Sequence, residues 1–362
     1  MKYKDAIADA FIYEMERNKN IFITGIAVDY PSGIFGSLTK VQKKFGSKRV
    51  FDAPAMENAI TGIAVGAATQ GMRPVIVHPR VDFMFLSFDM LIQLAAKWRY
   101  MFGGNGGDVP IVIRAIIGRG WGQGSTHSQS TQSMLAHIPG LNVVMPTYPS
   151  DVRGIIISAL RGKDPTVILE HRSLYEIDQT ITSRKPLPFG QSKIINKGTD
   201  ITIVSTSFMT IEASEAVKKL KEEGISVELI DLISIRPLDE KTILRSVNKT
   251  GRLICVDTSW ELCGVASEII ALATEKSFNS LISAPKRITL PNCPSPVSNS
   301  LEKVFYPTSE TIFKACQAMM GKKIISEYNS NINSAFYKLI TPHLNRHRPP
   351  RSEYNSVNII QI

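Results

Sequence analysis

Cysteine is scarce in this sequence. Four occur in 362 residues, at Cys255, Cys263, Cys293 and Cys316, and none stands in a Cys-x-x-Cys pair. That spacing argues against a disulfide framework or a thiolate metal cage and fits a reducing cytoplasm. Long apolar runs are missing too: no stretch reaches the roughly 20 residues that a membrane-crossing helix needs. The opening Met1-Lys-Tyr-Lys-Asp-Ala-Ile-Ala-Asp-Ala reads as an amphipathic helix, not as a charged-then-apolar leader. The net charge of +10 is spread along the chain apart from short groups such as Lys43-Lys44. Diffuse charge speaks against nucleic acid and is explained equally by anionic small molecules or an acidic partner surface. There is no His-Glu-x-x-His, no nucleophile elbow, no phosphate loop ending in Gly-Lys-Ser/Thr and no strand-adjacent Gly-x-Gly-x-x-Gly.

What is present is an alternation of short β-branched runs with longer helical stretches. Asn20–Gly25, Arg73–Val77, Val109–Arg114, Leu141–Pro146 and Pro165–Glu170 read as buried strands. Between them the pattern predicts helices over 57 to 70, 84 to 102, 128 to 137 and 149 to 161. Such alternation implies a parallel sheet covered on both faces, and so an α/β fold. Two prolines in Ser183-Arg-Lys-Pro-Leu-Pro-Phe-Gly190 interrupt it. It restarts with strands at Asp200–Ser205, Ser226–Asp231, Arg252–Asp257 and Lys286–Leu290. We therefore expect a first domain over 1–185 and a smaller α/β domain over 191–325. Residues 326–362 are polar and carry Pro349-Pro350, and read as an extended or disordered tail.

Ligands of open α/β sheets sit beyond the carboxyl ends of strands. Four features there bear on function. Glu57 heads a helix of small and apolar residues closed by Gly71, which reads as a buried helix; its carboxyl must then be paired or kept protonated, although the helix dipole alone also favours an acid at that position. The loop Ala115–Ser130 holds four glycines and His127. A helix start at Ser125/Thr126 would keep that imidazole neutral. The segment Val77–Asp89 combines His78, Arg80 and Asp82 with Phe83, Phe85 and Phe88, rings that either stack on a planar ligand or fill the core. Arg172, after Glu170-His171, either clamps a carboxylate or phosphate or forms a surface ion pair.

Taken together, Asp52-Ala-Pro-Ala-Met-Glu57, Gly62-Ile-Ala-Val-Gly66, Ala95–Gly104, His127-Ser-Gln129, Pro139–Pro146, Asp164-Pro165 and Ile235-Arg-Pro-Leu-Asp239 closely resemble the beta subunit of the thiamine-diphosphate-dependent 2-oxo acid dehydrogenases of pyruvate, branched-chain and acetoin type. The likeness runs in order over about residues 1 to 320 and marks a divergent member. It implies a transketolase-like fold, a parallel-sheet pyrimidine-binding domain followed by a smaller transketolase C-terminal α/β domain, in an assembly of two alpha and two beta subunits. It also implies the activity, with the acyl group passed to a lipoyl acyltransferase or another acceptor.

In that resemblance Glu57 falls on the glutamate that hydrogen-bonds the aminopyrimidine and so generates the cofactor ylide. Phe83 matches the aromatic stacked on the aminopyrimidine, and His127 the histidine near substrate. A potassium site of backbone carbonyls maps to Ile111, Ala159, Gly162 and Asp164. No Gly-Asp-Gly followed by an asparagine some 25 to 30 residues later occurs, so Mg2+ and the diphosphate half are expected from the alpha subunit. Five features depart from the family pattern: Val77-His-Pro-Arg-Val-Asp82, Leu86 where glutamine is common, Gly162 where the potassium loop usually has aspartate, the loop Gly118–Gly124 and the tail beyond residue 325. They leave room for an acyloin- or ketol-forming transferase, or for a non-catalytic scaffold of the same fold.

Overall fold

In the computed structural model, residues 1–119 and 122–321 are described; the tail expected at 326–362 lies outside them, as do Gly120 and Trp121 of the glycine loop. The β-branched runs form two sheets. The first contains β1 (Ile21–Gly25), β2 (Val50–Asp52), β3 (Arg73–His78), β4 (Val112–Ile117), β5 (Asn142–Val144) and β6 (Thr166–His171). The second contains β7 (Lys193–Asn196), β8 (Ile201–Ser205), β9 (Val227–Asp231), β11 (Leu253–Trp260) and β12 (Lys286–Leu290). The short β10 (Ser234–Arg236) comes from the second half of the chain but pairs antiparallel with β5, closing the first sheet in the order β10-β5-β6-β4-β3-β1-β2. The second sheet runs β12-β11-β8-β9-β7, with β7 antiparallel to β9. All other pairings are parallel.

Side chains alternate across each strand, so the first sheet feeds two cores. Val75 and Val77 of β3 face one side with Phe11 and Ile155, under helices Tyr3–Arg17 and Pro149–Arg161. Ile76 faces the other with Ala64 and Leu91. That second core continues without a break into the second sheet, where Ile230 and Cys255 join it. The two halves thus share one apolar interior.

Several expected elements differ. The third strand starts at Val112, three residues beyond the expected start, because Pro110 has no N–H for the ladder. The helix expected over 84 to 102 is broken into Val81–Met84, a 3₁₀ turn Phe85–Ser87, a π-helical stretch Asp89–Ala95 and Trp98–Met101. In a 3₁₀ turn residues i and i+3 eclipse, and here that brings Phe85 and Phe88 edge to face, 5.2 Å between centroids. The helix expected over 128 to 137 is reduced to Gln132–Ala136. Unforeseen are the helices Thr39–Phe45 and Asn299–Phe305 and the strands β2, β7 and β10.

Candidate active site

The helix Glu57–Thr69 buries Glu57, Ile60, Thr61, Ala64, Val65 and Ala68 along one face, the spacing of an amphipathic helix. It is not enclosed on all sides as its composition suggests: Ala59, Ile63 and Gly66 lie on the opposite face, with Ile63 72% exposed. Small apolar residues can line either a core or a surface, and periodicity alone does not separate them. Glu57 itself is 6% exposed. Among the described residues its carboxylate has no hydrogen-bond or ion-pair partner, while its backbone carbonyl accepts from Thr61 Oγ1 at 2.7 Å. Its oxygens are thus left open to a group from outside the chain.

The chain runs from this helix through a tight turn into β3, so Glu57 and His78 lie at the same end of the helix–strand pair. Thr24 of β1 stands opposite Ile76 of β3, and His78, two residues on, faces the same side. Thr24 Oγ1 and His78 Nε2 are both buried and, among the described residues, without partners. Burial lowers the His78 pKa to about 4, so the imidazole is neutral.

His127 does not stand at a helix start. It lies in a turn, its N–H bonded to the Gly124 carbonyl, five residues before helix Gln132–Ala136; the loop's glycines and the side-chain bonds below hold the backbone away from helical geometry. The ring meets Phe83 edge-on, with centroids 5.2 Å apart and planes at 85°, and Nδ1 shares a hydrogen bond with Thr126 Oγ1 at 2.9 Å. Phe83 is 36% exposed, whereas Phe85 and Phe88 pack together and Phe88 leans on the core. Only one of the three rings is therefore available to a ligand. Asp82 Oδ1 accepts from Gln129 Nε2 at 2.8 Å. Arg80 donates from Nε and Nη2 to Gln123 Oε1 at 2.9 and 2.5 Å.

At the end of β6 the three expected residues separate. Glu170 is wholly buried and bonded by Arg114, Nε to Oε1 at 2.6 Å and Nη2 to Oε2 at 2.8 Å, and by the Tyr175 hydroxyl at 2.6 Å. His171 stacks on Phe208 of the second half, 4.8 Å apart, and burial pushes its pKa down to about 3. Arg172 covers the rings of Phe35 and Tyr175 at 4.4 and 5.2 Å. Sequence reasoning had no means of finding Gln123, Thr24 or Arg114 as members of this region, since each is placed there by the fold and not by its neighbours in sequence.

The carbonyls mapped to a potassium site already accept hydrogen bonds: Ile111 O from Thr166 N at 3.0 Å, Ala159 O from Gly162 N at 3.2 Å, Asp164 O from Thr166 Oγ1 at 3.2 Å. Gly162 O accepts from Arg73 Nη1 at 2.7 Å, and the same nitrogen reaches Leu160 O at 2.8 Å. A guanidinium thus already lies on this carbonyl set. No helix among the described residues is long and apolar enough to cross a membrane.

Comparison with known proteins matches residues 1–178 to the transketolase pyrimidine-binding domain and residues 190–312 to the transketolase C-terminal domain. The chain is 36% identical over 331 residues to the acetoin:2,6-dichlorophenolindophenol oxidoreductase beta subunit of Cupriavidus necator, covering 88% of this chain and 97% of that one. It is 39% identical over 320 residues to the mitochondrial pyruvate dehydrogenase E1 component subunit beta-1 of Arabidopsis thaliana, covering 87% and 88%. It is also 33% identical over 322 residues to the 2-oxoisovalerate dehydrogenase beta subunit of Bacillus subtilis, covering 88% and 98%. Among solved structures, a split-gene transketolase recorded as an inactive beta4 tetramer superposes with a TM-score of 0.71 at 19% identity, over 90% of this chain and 99% of that one. The fold is therefore transketolase-like, and a beta subunit implies an alpha subunit beside it. With two matched domains and three kinds of relative above 30% identity, the chain belongs to the E1 beta subunits of the thiamine-diphosphate-dependent 2-oxo acid and acetoin dehydrogenases, which are oxidoreductases.

Proposed function

We propose that this chain forms the aminopyrimidine half of a thiamine diphosphate site at which a 2-oxo acid is decarboxylated, and that an alpha subunit brings the diphosphate half with its magnesium ion. The observation that carries this reading is Glu57, a buried carboxyl without a partner in its own chain among the described residues. The residues fit the group: an open carboxyl, the unpartnered Thr24 Oγ1 and His78 Nε2 at the same strand ends, and one accessible ring, Phe83. When bound, thiamine diphosphate supplies the carbon nucleophile and the electron sink for loss of carbon dioxide. Glu57 holds and returns a proton at the pyrimidine N1′, as a general acid–base group must. Phe83 offers its face to the flat pyrimidine. His127, half-buried against Phe83, stands at the mouth where substrate and acceptor arrive.

The exposed apolar face of Ala59, Ile63 and Gly66 is open to cover by a subunit partner. A potassium ion at Ile111, Ala159, Gly162 and Asp164 would share the Gly162 carbonyl with Arg73. The compartment proposed is a reducing cytoplasm, on the spacing of the four cysteines. The acceptor is a lipoyl acyltransferase domain or, in the acyloin-forming variant that the altered segment 77–82 favours, an aldehyde or ketone. Offering each to the assembled pair separates the two.

Glu57→Gln is the test. Glutamine is nearly isosteric but cannot exchange the proton, so hydrogen–deuterium exchange at the thiazolium C2 of the assembled complex should slow by ~10²–10⁴-fold. The lost dipole benefit at a helix start is only ~0.3–1 kcal/mol, so melting should barely move. Unchanged exchange would remove Glu57 from the chemistry and leave it a helix-start acid.

A further inference from the structure

Between β4 and helix Gln132–Ala136, the described residues Arg119 and 122–131 are gripped from two sides. From the first domain, Arg80 bonds Gln123 at 2.9 and 2.5 Å, Asp82 bonds Gln129 at 2.8 Å, and Phe83 meets His127 at 5.2 Å. Three side chains within four residues thus hold loop positions 123, 127 and 129. From the second domain, Arg119 lies over the rings of Tyr306 and Phe208 at 4.4 and 5.6 Å, with Glu212 3.9 Å away. Ser295 Oγ donates to the Ser128 carbonyl at 3.4 Å, and a Cβ on Gly124 would stand 2.5 Å from Val297 Cγ2.

Gly122 and Gly124 adopt φ of +61° and +69°. Glycines lose the most backbone freedom when ordered, so a loop built on them stays in one place only if side chains fix it. Of these grips, the bond from Arg80 is the one with a charged fork. Both of its prongs meet a single oxygen, Gln123 Oε1, and a charged donor makes the bond roughly twice as strong as a neutral one. Arg80 is itself buried and its third nitrogen, Nη1, is tied back to the Pro79 carbonyl at 2.9 Å. The fork is therefore pre-aimed.

We infer that Arg80 is a positioning residue that acts through Gln123: it fixes the glycine loop and thereby keeps His127 against Phe83. What His127 then does for the substrate rests on the function proposed above; the positioning does not.

The test uses the full chain labelled in its six histidines, alone and assembled with its alpha subunit. Arg80→Lys keeps the charge but loses the fork; Gln123→Ala removes the acceptor at an exposed position; Gln123→Glu keeps an acceptor and adds a charge. In the first two, the His127 ring protons should lose the ring-current shift imparted by Phe83, while His78 and His171 signals stay in place. Catalytic kcat/KM should fall by up to about a hundredfold, the effect of an ångström-scale misplacement, and mainly through kcat. The double variant Arg80→Lys/Gln123→Ala should be no worse than either single, and Gln123→Glu should stay within about twofold of the unaltered chain because its bond is charge-assisted. His127 signals unmoved in both Arg80→Lys and Gln123→Ala overturn the inference. Moved signals with unchanged kcat/KM uphold the positioning and refute instead the role given to His127.

Discussion

Replacing Glu170 by glutamine removes a charge that the structure has committed to a place without water. Glu170 and Arg114 are both fully buried on adjacent strands β6 and β4. The carboxylate accepts two bonds from Arg114, at 2.6 and 2.8 Å, and one from Tyr175, at 2.6 Å. Arg114 also donates to Ser37 Oγ at 3.1 Å and lies over the Phe11 ring at 5.4 Å. Burial works to strip the proton from Arg114, but Glu170 outweighs it and the guanidinium ends above its ordinary pKa.

Bonds to a charged group contribute about 1.5–3 kcal/mol each, and the glutamine side chain would keep one oxygen acceptor, so the loss in Glu170→Gln should reach the ~3–5 kcal/mol typical of an orphaned buried charge. The double change Arg114→Met/Glu170→Leu leaves no orphaned charge, only the Tyr175 hydroxyl without its acceptor, and should cost less than either single charge removal, since apolar replacement of a buried pair is often close to neutral. Urea unfolding of the full chain at pH 7, followed by tryptophan fluorescence, measures Glu170→Gln and the four corners of the cycle: the unaltered chain, Arg114→Met, Glu170→Leu and the double variant. A single-variant loss below about 1 kcal/mol, or a double variant worse than both singles, would refute the assignment of this pair as a compensated buried charge.

Two further outcomes follow from the same interior. His78 is held neutral by burial down to about pH 4, whereas in the unfolded chain it takes up its proton near pH 6.5; the folded state therefore loses up to about 3 kcal/mol as pH falls through that window. A urea midpoint series from pH 7 to 4 should fall less steeply in His78→Phe, and parallel curves would contradict this. Gly140 has φ +93°, and an added Cβ would press on the Ala96 carbonyl oxygen and stand 2.8 Å from its carbon. Gly140→Ala should therefore destabilise by more than about 1 kcal/mol from conformation and clash together, read as a lowered melting temperature.

The buried strands were legible because β3, β4 and β6 carry apolar residues on both faces, with charges at only a few positions, and few other elements need that. Glu57 was legible for a related reason, an acid heading a run with almost nothing polar after it. What the chain concealed has physical causes. Helix Thr39–Phe45 buries only Val41, so its sequence carries no apolar stripe. Strand β10 has three residues and exists because β5 offers it an edge. The segment 81–101 changes helix type three times while its apolar spacing still reads as one helix, so periodicity does not show the breaks. The exposed side of helix Glu57–Thr69 was hidden because alanine and glycine suit a core and a contact surface equally. The bond from Arg80 to Gln123 joins residues 43 apart, and no local pattern announces it.

Strand β10 gives the chain a property that its linear map conceals. The first sheet ends on three residues that are encoded well after the Pro-rich connection, with Met145 N bonded to Ile233 O at 2.7 Å beside them. A nick in that connection would cut the polypeptide and leave its halves clasped. A fragment ending there would instead bare β5 as an open edge, an adhesive for any other strand. Exchange or fusion of the two halves during descent would have to carry this clasp along, so the piece that travels as a unit is the whole pair of sheets.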